Sequence, residues 1–391
     1  MEKPATVNAR WAARLGLALA IAAVPLGITT GATAATSDWK IQPTPDPAPG
    51  SFFTAISCIS ASHCTAVGAY GPNDAATFNL AEVWNGSTWK LQSIGNPDGS
   101  YIVLEGVSCT SAAFCMAVGS YANRFGTTLT LAATWNGSKW MILHPPSPQG
   151  ASFSNLSAVS CSSATACAAV GYSQGNSGAP PLAEIWNGTA WTIESTPPLP
   201  LSIGQLNAVS CVSATACTAV GTYENDSDDF VSLAESWNGS AWAIEPTPNP
   251  AGGGSIGLNA ISCTSLTACT AAGDYFNASD NDQTLAESWN GSAWAIQPTP
   301  NPSGTLFIDR FLAVSCTSGT ACIAVGYTSN GTLVEIWNGT NWVLDHTPLL
   351  TNGGSHGGFA GISCTSGLSC TAAGQYIDSS GNTETLAERR P

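Results

Sequence analysis

Residues 206–246 read LNAVSCVSATACTAVGTYENDSDDFVSLAESWNGSAWAIEP, and a close copy of that string recurs along the whole chain. The cysteines set its period. They fall as Cys58/Cys64, Cys109/Cys115, Cys161/Cys167, Cys211/Cys217, Cys263/Cys269, Cys316/Cys322 and Cys364/Cys370, each pair spaced C-x5-C. Successive pairs are offset by 51, 52, 50, 52, 53 and 48 residues. A second marker, W-N-G-[ST]-x-W, begins at Trp84, Trp135, Trp186, Trp237, Trp289 and Trp337. Periods of this length belong to repeat architectures, in which each unit covers the apolar face of its neighbour.

No such marker follows the last cysteine pair. The chain ends near Leu386-Ala387-Glu388, where other repeats read L-A-E just before W-N-G. The lost piece stands at the other end: Asp38-Trp39-Lys40-Ile41-Gln42-Pro43-Thr44-Pro45 matches Ala241-Trp242-Ala243-Ile244-Glu245-Pro246-Thr247-Pro248. A linear solenoid calls for capping repeats instead of a split one. A ring completes one repeat from the two chain ends.

Each repeat carries four strand candidates. In the fourth they are Leu206–Cys211, Cys217–Tyr223, Leu233–Trp237 and Trp242–Pro246, here strands a to d. Small residues dominate a and b, as inner strands crowded near an axis require. Trp, Leu and Ile dominate c and d. The expected fold is all-β: a seven-bladed β-propeller of four-stranded antiparallel blades, the last closed by the N-terminal strand. Residues 35–391 form that single domain. Residues 1–34 read as a secretory signal peptide, with Lys3, Arg10 and Arg14 ahead of an apolar run from Leu15 to Ile28 and the cleavage pattern Ala32-Thr33-Ala34. A retained N-terminal anchor is the other reading. No later apolar stretch is long enough for a membrane span.

The repeated residues have structural and functional readings side by side. The cysteine pairs fall at the ends of strands a and b. In an exported chain, evenly spaced local cysteines read as disulfides, each worth about 2 kcal/mol in the chain-entropy model. Zinc is the alternative, and four His are too few to complete the ligand sets. The W-N-G-S-x-W segment reads as a hairpin whose Asn and Gly both accept φ > 0 and whose tryptophans pack across the strands. An aromatic platform for sugars is the functional reading. Strand c carries Glu82, Glu184, Glu235, Glu287, Glu335 and Glu388, with Ala133 in the second repeat. Alternation places each carboxylate half-buried beside a Trp, accepting hydrogen bonds from a neighbouring strand or turn. A catalytic ring of carboxylates is the functional reading.

Composition narrows the function. The chain has 391 residues, 9% of them charged, and a formal charge of −15. That excludes a nucleic-acid partner, which requires a basic stripe. The a–b and c–d turns are short and repetitive, whereas the b–c and d–a loops vary, so the variable end is the expected binding face. Phe78, Tyr121, Phe230 and Phe276 on those loops are the candidate ligand-stacking residues. Glu224, Asp226 and Asp228 on one loop, with Asp280 and Asp282 on another, offer clustered oxygens that suit calcium. Solvated loops are the bland alternative, and neither loop matches the twelve-residue calcium pattern. No G-x-S-x-G, H-E-x-x-H or P-loop occurs in the repeat region, and no catalytic residue is assigned. An Asp/Glu glycosidase pair stays open, because two carboxylates suffice for it.

The string [AG]-[VI]-S-C-x5-C-x-A-[VA]-G followed by L-A-E-x-W-N-G-[ST]-x-W resembles exported bacterial proteins with cysteine-paired propeller repeats over nearly all of residues 38–390. More distantly it is similar to kelch and Asp-box repeats. It lacks the paired glycines of the former and the S-x-D-x-G-x-T-W spacing of the latter. The resemblance implies a propeller and an extracellular setting, and it carries over no catalytic residue. The leading expectation is a secreted, monomeric, non-catalytic binding module for a polysaccharide or an extracellular or cell-envelope protein. An extracellular carbohydrate-active enzyme and a structural matrix component are the alternatives.

Overall fold

The computed structural model describes residues 38–71, 77–176, 178–302, 308–348, 350 and 355–391. The signal-peptide expectation lies outside the described residues. The described residues form strands and turns with no helix, so none is long and apolar enough to cross a membrane.

The fold is a β-propeller built from antiparallel four-stranded sheets ordered a-b-c-d. Two of these units share one eight-stranded sheet through a single parallel bridge, Phe153 to Thr128. In the fourth repeat the strands are Gly204–Ser213, Ala216–Glu224, Phe230–Trp237 and Trp242–Ile244. The inner three run longer than the sequence suggests. The outer one is shorter, because Pro246 has no N–H to extend the ladder. The strand Lys40–Gln42 pairs with the last strand of the chain, Thr383–Arg390, with Ile41 opposite Glu388. The two chain ends therefore share one sheet.

All seven C-x5-C pairs are disulfides joining strands a and b directly opposite each other. Their placement at the strand ends is corrected. Ser213 and Ala216 still pair beyond Cys211 and Cys217, and the second cysteine of each pair belongs to the core. Cys64, Cys115, Cys322 and Cys370 are 0%, 2%, 0% and 2% exposed, whereas the first cysteine of each pair is half-buried. The cause is the cover that neighbouring sheets lay over strand b. Cys64 shares a cluster with Ala373 and Ala387 of the preceding sheet, Cys115 with Val67 and Ala81, Cys322 with Ala272 and Ala286, and Cys370 with Ile323 and Val334. These sulfurs are core staples and form no surface site.

Next to each first cysteine is a serine that ties its sheet to the following one. Ser57 Oγ accepts from the Cys109 N–H, and Ser108, Ser160, Ser210, Ser262 and Ser315 accept likewise from Cys161, Cys211, Cys263, Cys316 and Cys364. Ser363 then accepts from Cys58, so the relay returns to its start. Crowding explains the small inner residues. A Cβ on Gly106 would stand 3.0 Å from Ala158 Cα, and one on Gly361 3.0 Å from the Ile56 nitrogen.

Strand a bulges in every repeat, between Leu206 and Ala208 in the fourth. The bulge pushes the preceding carbonyl onto strand b, where only glycine leaves room. A Cβ on Gly221 would collide with the Gln205 carbonyl oxygen, and Gly68, Gly119, Gly171, Gly273, Gly326 and Gly374 face the same obstruction. This explains the invariant glycine of the A-[VA]-G string.

The outer strands carry the aromatic core. Trp237 lies opposite Trp242 with ring centroids 5.6 Å apart, and the pairs of the other markers match within a few tenths of an ångström. Both rings are buried, which is the packing reading and not a sugar platform. The turn differs from the expected one. Gly239 has φ +94° but Asn238 does not take positive φ. Instead the Asn238 side-chain oxygen accepts from the Ser240 N–H, the Ser240 hydroxyl and the Ala241 N–H. The S/T after N-G is therefore part of the turn.

In three places the second Trp also bridges sheets. Trp140 Nε1 donates to Gln92, Trp342 to Gln297 and Trp39 to Asp345, each acceptor three residues past the equivalent Trp of the preceding repeat. The Nε1 of Trp89, Trp191, Trp242 and Trp294 has no partner among the described residues, although Gln42, Glu194 and Glu245 stand at that position ahead of Trp89, Trp242 and Trp294.

Candidate functional site

Antiparallel order sends the a–b and c–d turns to one end and the b–c and d–a loops to the other. The first end carries the disulfides and the repeated Asn-Gly turns. The second end carries whatever distinguishes one repeat from the next.

Four b–c loops are one turn built from different residues. In Asn123–Thr127 the first N–H donates to the fifth carbonyl, and the first side-chain oxygen accepts from the third and fifth N–H groups. Asn225–Asp229, Asn277–Asn281 and Asp378–Asn382 repeat these bonds. The fourth residue is left-handed in all of them: Gly126 at φ +80°, Asp228 at +60°, Asp280 at +57° and Gly381 at +85°. The acidic residues of the second and third loops thus occupy positions that the first turn fills without any acid.

The candidate calcium ligands divide between solvent and the sheet. Asp226, Asp228 and Asp280 are exposed, and Glu224 is half-buried, its carboxyl raised by burial and then by Asp228. Asp282 is buried on the neighbouring strand and committed to Arg310. Among the described residues no three His, Cys, Asp or Glu side chains are grouped to hold a metal. Asp228→Gly and Asp280→Gly are expected to stabilise by about 0.5–1 kcal/mol each, by removing a side chain from a left-handed site. Melting with and without calcium checks both claims: the variants should melt higher and calcium should shift neither.

The aromatic candidates do not form one surface. Phe78 is 40% exposed and packs on Tyr70, ring centroids 5.4 Å apart. Tyr121 is buried beside His144. Phe230 and Phe276 are half-buried, and Arg310 lies 5.9 Å from the Phe276 ring. These four residues belong to the first, second, fourth and fifth repeats. Sequence reading missed two more exposed rings, both in the second repeat: Phe125 is 77% exposed and Tyr101 56%.

Polar side chains near the inner strands mostly join sheets. The bulge residue reaches the next repeat: Thr54 Oγ1 donates to the Leu104 carbonyl at 2.6 Å, Asn207 Nδ2 to Leu258 at 2.9 Å and Asn259 Nδ2 to Phe311 at 2.9 Å. Asn259 also donates to Asp274 at 2.8 Å. Arg310 Nε lies 3.7 Å from Asp274 and closer still to Asp282, clamping the fifth and sixth repeats. The two carboxylates raise the Arg310 pKa against the opposing effect of burial. Glu105 occupies the same bulge position in the second repeat. Burial pushes its carboxyl up to about 7, beside Tyr172.

The strand-c glutamates are buried more deeply than expected. Glu82, Glu184, Glu235, Glu287 and Glu335 have no exposed surface, and neither carboxyl oxygen of any of them finds a hydrogen-bond partner among the described residues. The expected bonds from a neighbouring strand or turn are therefore corrected. The outer-strand aliphatic opposite each one, such as Ile244 against Glu235, covers it. Burial pushes the pKa of Glu184, Glu235, Glu287 and Glu388 up to about 8. For Glu82 and Glu335, burial helped by Asp46 and Asp309 pushes it to about 9. With at most 1% of their surface exposed, they are out of a substrate's reach, which argues against the catalytic-ring reading.

No family model matches the chain, and no curated protein matches it. Solved structures do. YCF48 bound to D1 peptide superposes with a TM-score of 0.54 at 14% identity, covering 91% of this chain and 97% of that one. A polysaccharide lyase of a new family, PL25-Ulvanlyase, bound to -[GlcA(1-4)Rha3S]-, superposes at 0.55 with 11% identity, covering 86% and 94%. At these identities the likeness is one of fold, and the chain is similar to both as a β-propeller.

Proposed function

We propose that the protein is a secreted, non-catalytic binding module: a closed seven-bladed propeller whose variable-loop end takes a polysaccharide or an extracellular protein. The observation that carries this reading is the contrast between the two ends. One end repeats the same disulfide and the same Asn-Gly turn. The other presents one rigid turn with different residues at its tip in each copy. Rigid scaffolds with varied loops are suited to recognition. The serine relay that returns to Cys58, and the pairing of Lys40–Gln42 with the last strand, support closure from both chain ends. Seven disulfides suit an oxidising compartment, and residues 1–34 supply the export signal. A closed ring needs no partner to cover sheet edges, so the protein is a monomer.

Catalysis has less support. Asp274 and Asp282 are tied to Arg310, and the strand-c glutamates are sealed. In the close carboxyl pair at the variable end, Glu384 with Asp46, burial and then Asp46 push Glu384 up to about 7, while Asp46 is committed to the Thr385 N–H and hydroxyl. The test is a binding screen of the oxidised protein against polysaccharides and cell-envelope proteins, followed by analysis of the polysaccharides for cleavage. Saturable binding with intact polysaccharide is the expected result. Release of oligosaccharides overturns the non-catalytic reading.

A further inference from the structure

We infer that the tip Arg124-Phe125 is the contact point for a uronate-containing polysaccharide. This rests on the proposal that the variable end binds, and it says which part binds and what. The internal comparison carries it. Four b–c loops have the same five-residue turn with the same hydrogen bonds. Their second and third residues are Asp226-Ser227, Ala278-Ser279, Ser379-Ser380 and Arg124-Phe125. The turn forms equally with small polar tips, so its geometry does not require Arg or Phe. Yet Phe125 is 77% exposed, and Arg124 lies over its ring at 4.8 Å.

The same repeat exposes a second aromatic. Gly99 pairs with Asn123 at the end of the sheet, and Tyr101 lies further into it, in the register shift between Ser100 and Val103. Tyr101 is 56% exposed and held at φ +49°. A left-handed tyrosine in an irregular strand start is a costly way to present a ring to water. Exposed aromatics of this kind mark contact surfaces.

The chemistry of the tip selects the occupant. Arg124 is the only Lys or Arg on any b–c loop. Of the other described cations, Arg310 and Arg390 are ion-paired, Lys139 sits in a c–d turn, and Lys40, Lys90 and Arg389 lie on outer strands. A planar guanidinium receives a carboxylate through two parallel hydrogen bonds. Flat rings beside it stack on the C–H faces of pyranoses. The turn tip offers neither an open strand edge nor a helix-sized groove, the usual docking modes of peptides. Two small cavities lie at the disulfide end, one lined by Cys269 and Cys316, the other by Cys167 and Cys211. A formal charge of −15 repels a polyanion at long range. Screening over about 8 Å at physiological salt leaves the local contact to decide.

The test transplants a tip. Arg124→Asp with Phe125→Ser copies Asp226-Ser227 into the equivalent turn, and Phe125→Ser alone removes only the ring. Binding of polygalacturonate and of uncharged dextran is measured by titration calorimetry at two salt concentrations, with a melting curve for each protein. The expected result is wild-type binding of polygalacturonate that weakens with salt. The double variant should lose at least tenfold in affinity at an unchanged melting temperature. Phe125→Ser alone should keep a weaker, still salt-dependent affinity. Equal affinity of wild type and double variant overturns this inference, while loss at another variable loop would leave the binding-face proposal standing. Equal binding of dextran overturns the uronate assignment. If no polysaccharide binds and an envelope protein does, the inference fails and the binding-module proposal survives.

Discussion

Deletion of residues 38–46 is expected to destabilise the protein severely and to make it self-associate. The segment supplies the outer strand of the last sheet. Trp39, 2% exposed, packs on Phe359 at 6.3 Å and donates to Asp345 at 3.0 Å. Asp38 pairs with Arg390, and Asp46 accepts from the Thr385 N–H and hydroxyl. Without the segment, Thr383–Arg390 becomes an open edge, a template for another chain. Trp39→Ala alone should cost about 3–5 kcal/mol, the range for removing a large buried aromatic. The disulfides are unaffected, so the loss reports on closure and not on oxidation. Denaturant unfolding and size-exclusion chromatography read the two effects. A deletion variant with wild-type stability and elution would mean that the chain ends do not close the fold.

The second large effect is on pH. Six strand-c glutamates titrate near 8 to 9 when folded, against an ordinary value of 4.5. The folded protein keeps protons that the unfolded chain has released. Their contribution to stability is therefore fully present below about pH 4.5. It declines as pH rises and is exhausted once pH passes the folded values near 8 to 9. Each such group lowers stability as pH rises between its two values. Glu105, raised to about 7, adds in the same direction over a shorter span. The protein should melt higher at pH 5 than at pH 9. Glu235→Gln should be close to neutral at pH 5, stabilise by more than about 1 kcal/mol at pH 8, and flatten the profile by one proton. A wild-type profile that rises toward pH 9 contradicts the buried-acid account.

How far the sequence could be read depended on whether a residue acts within its own repeat. The cysteine and tryptophan pairs are local, and their spacing alone placed them opposite each other. That Cys64, Cys115, Cys322 and Cys370 sink into the core while their partners stay half-buried depends on the next sheet, which the spacing does not report. The piece Asp38–Pro45 announced its partner because it copies Ala241–Pro248. Strand-c glutamates were misread because alternation gives a face but not the depth of the neighbouring sheet over it. The glycine after A-[VA] was visible seven times, but its reason, a bulge on the opposite strand, is a backbone event with no side-chain signature. The composition of the acidic loops shows clustered oxygens but not the turn that holds them. Aligning Asn123, Asn225, Asn277 and Asp378 would have exposed the common turn, and with it the odd tip Arg124-Phe125. Phe78, Tyr121, Phe230 and Phe276 were chosen as loop aromatics, and residue type does not say which way a ring turns at a strand end.

The central claim is that one end of this propeller binds and the other only builds. The direct measurement is polysaccharide and envelope-protein binding by two sets of variants of the oxidised protein, matched for melting temperature. One set alters b–c tips, at Arg124, Phe125, Asp226 and Ser279. The other alters exposed positions at the disulfide end, at Thr88, Lys139 and Leu266. The account predicts that affinity falls only in the first set and that polysaccharide is recovered intact. Loss confined to the second set, or cleavage of the polysaccharide, would contradict it.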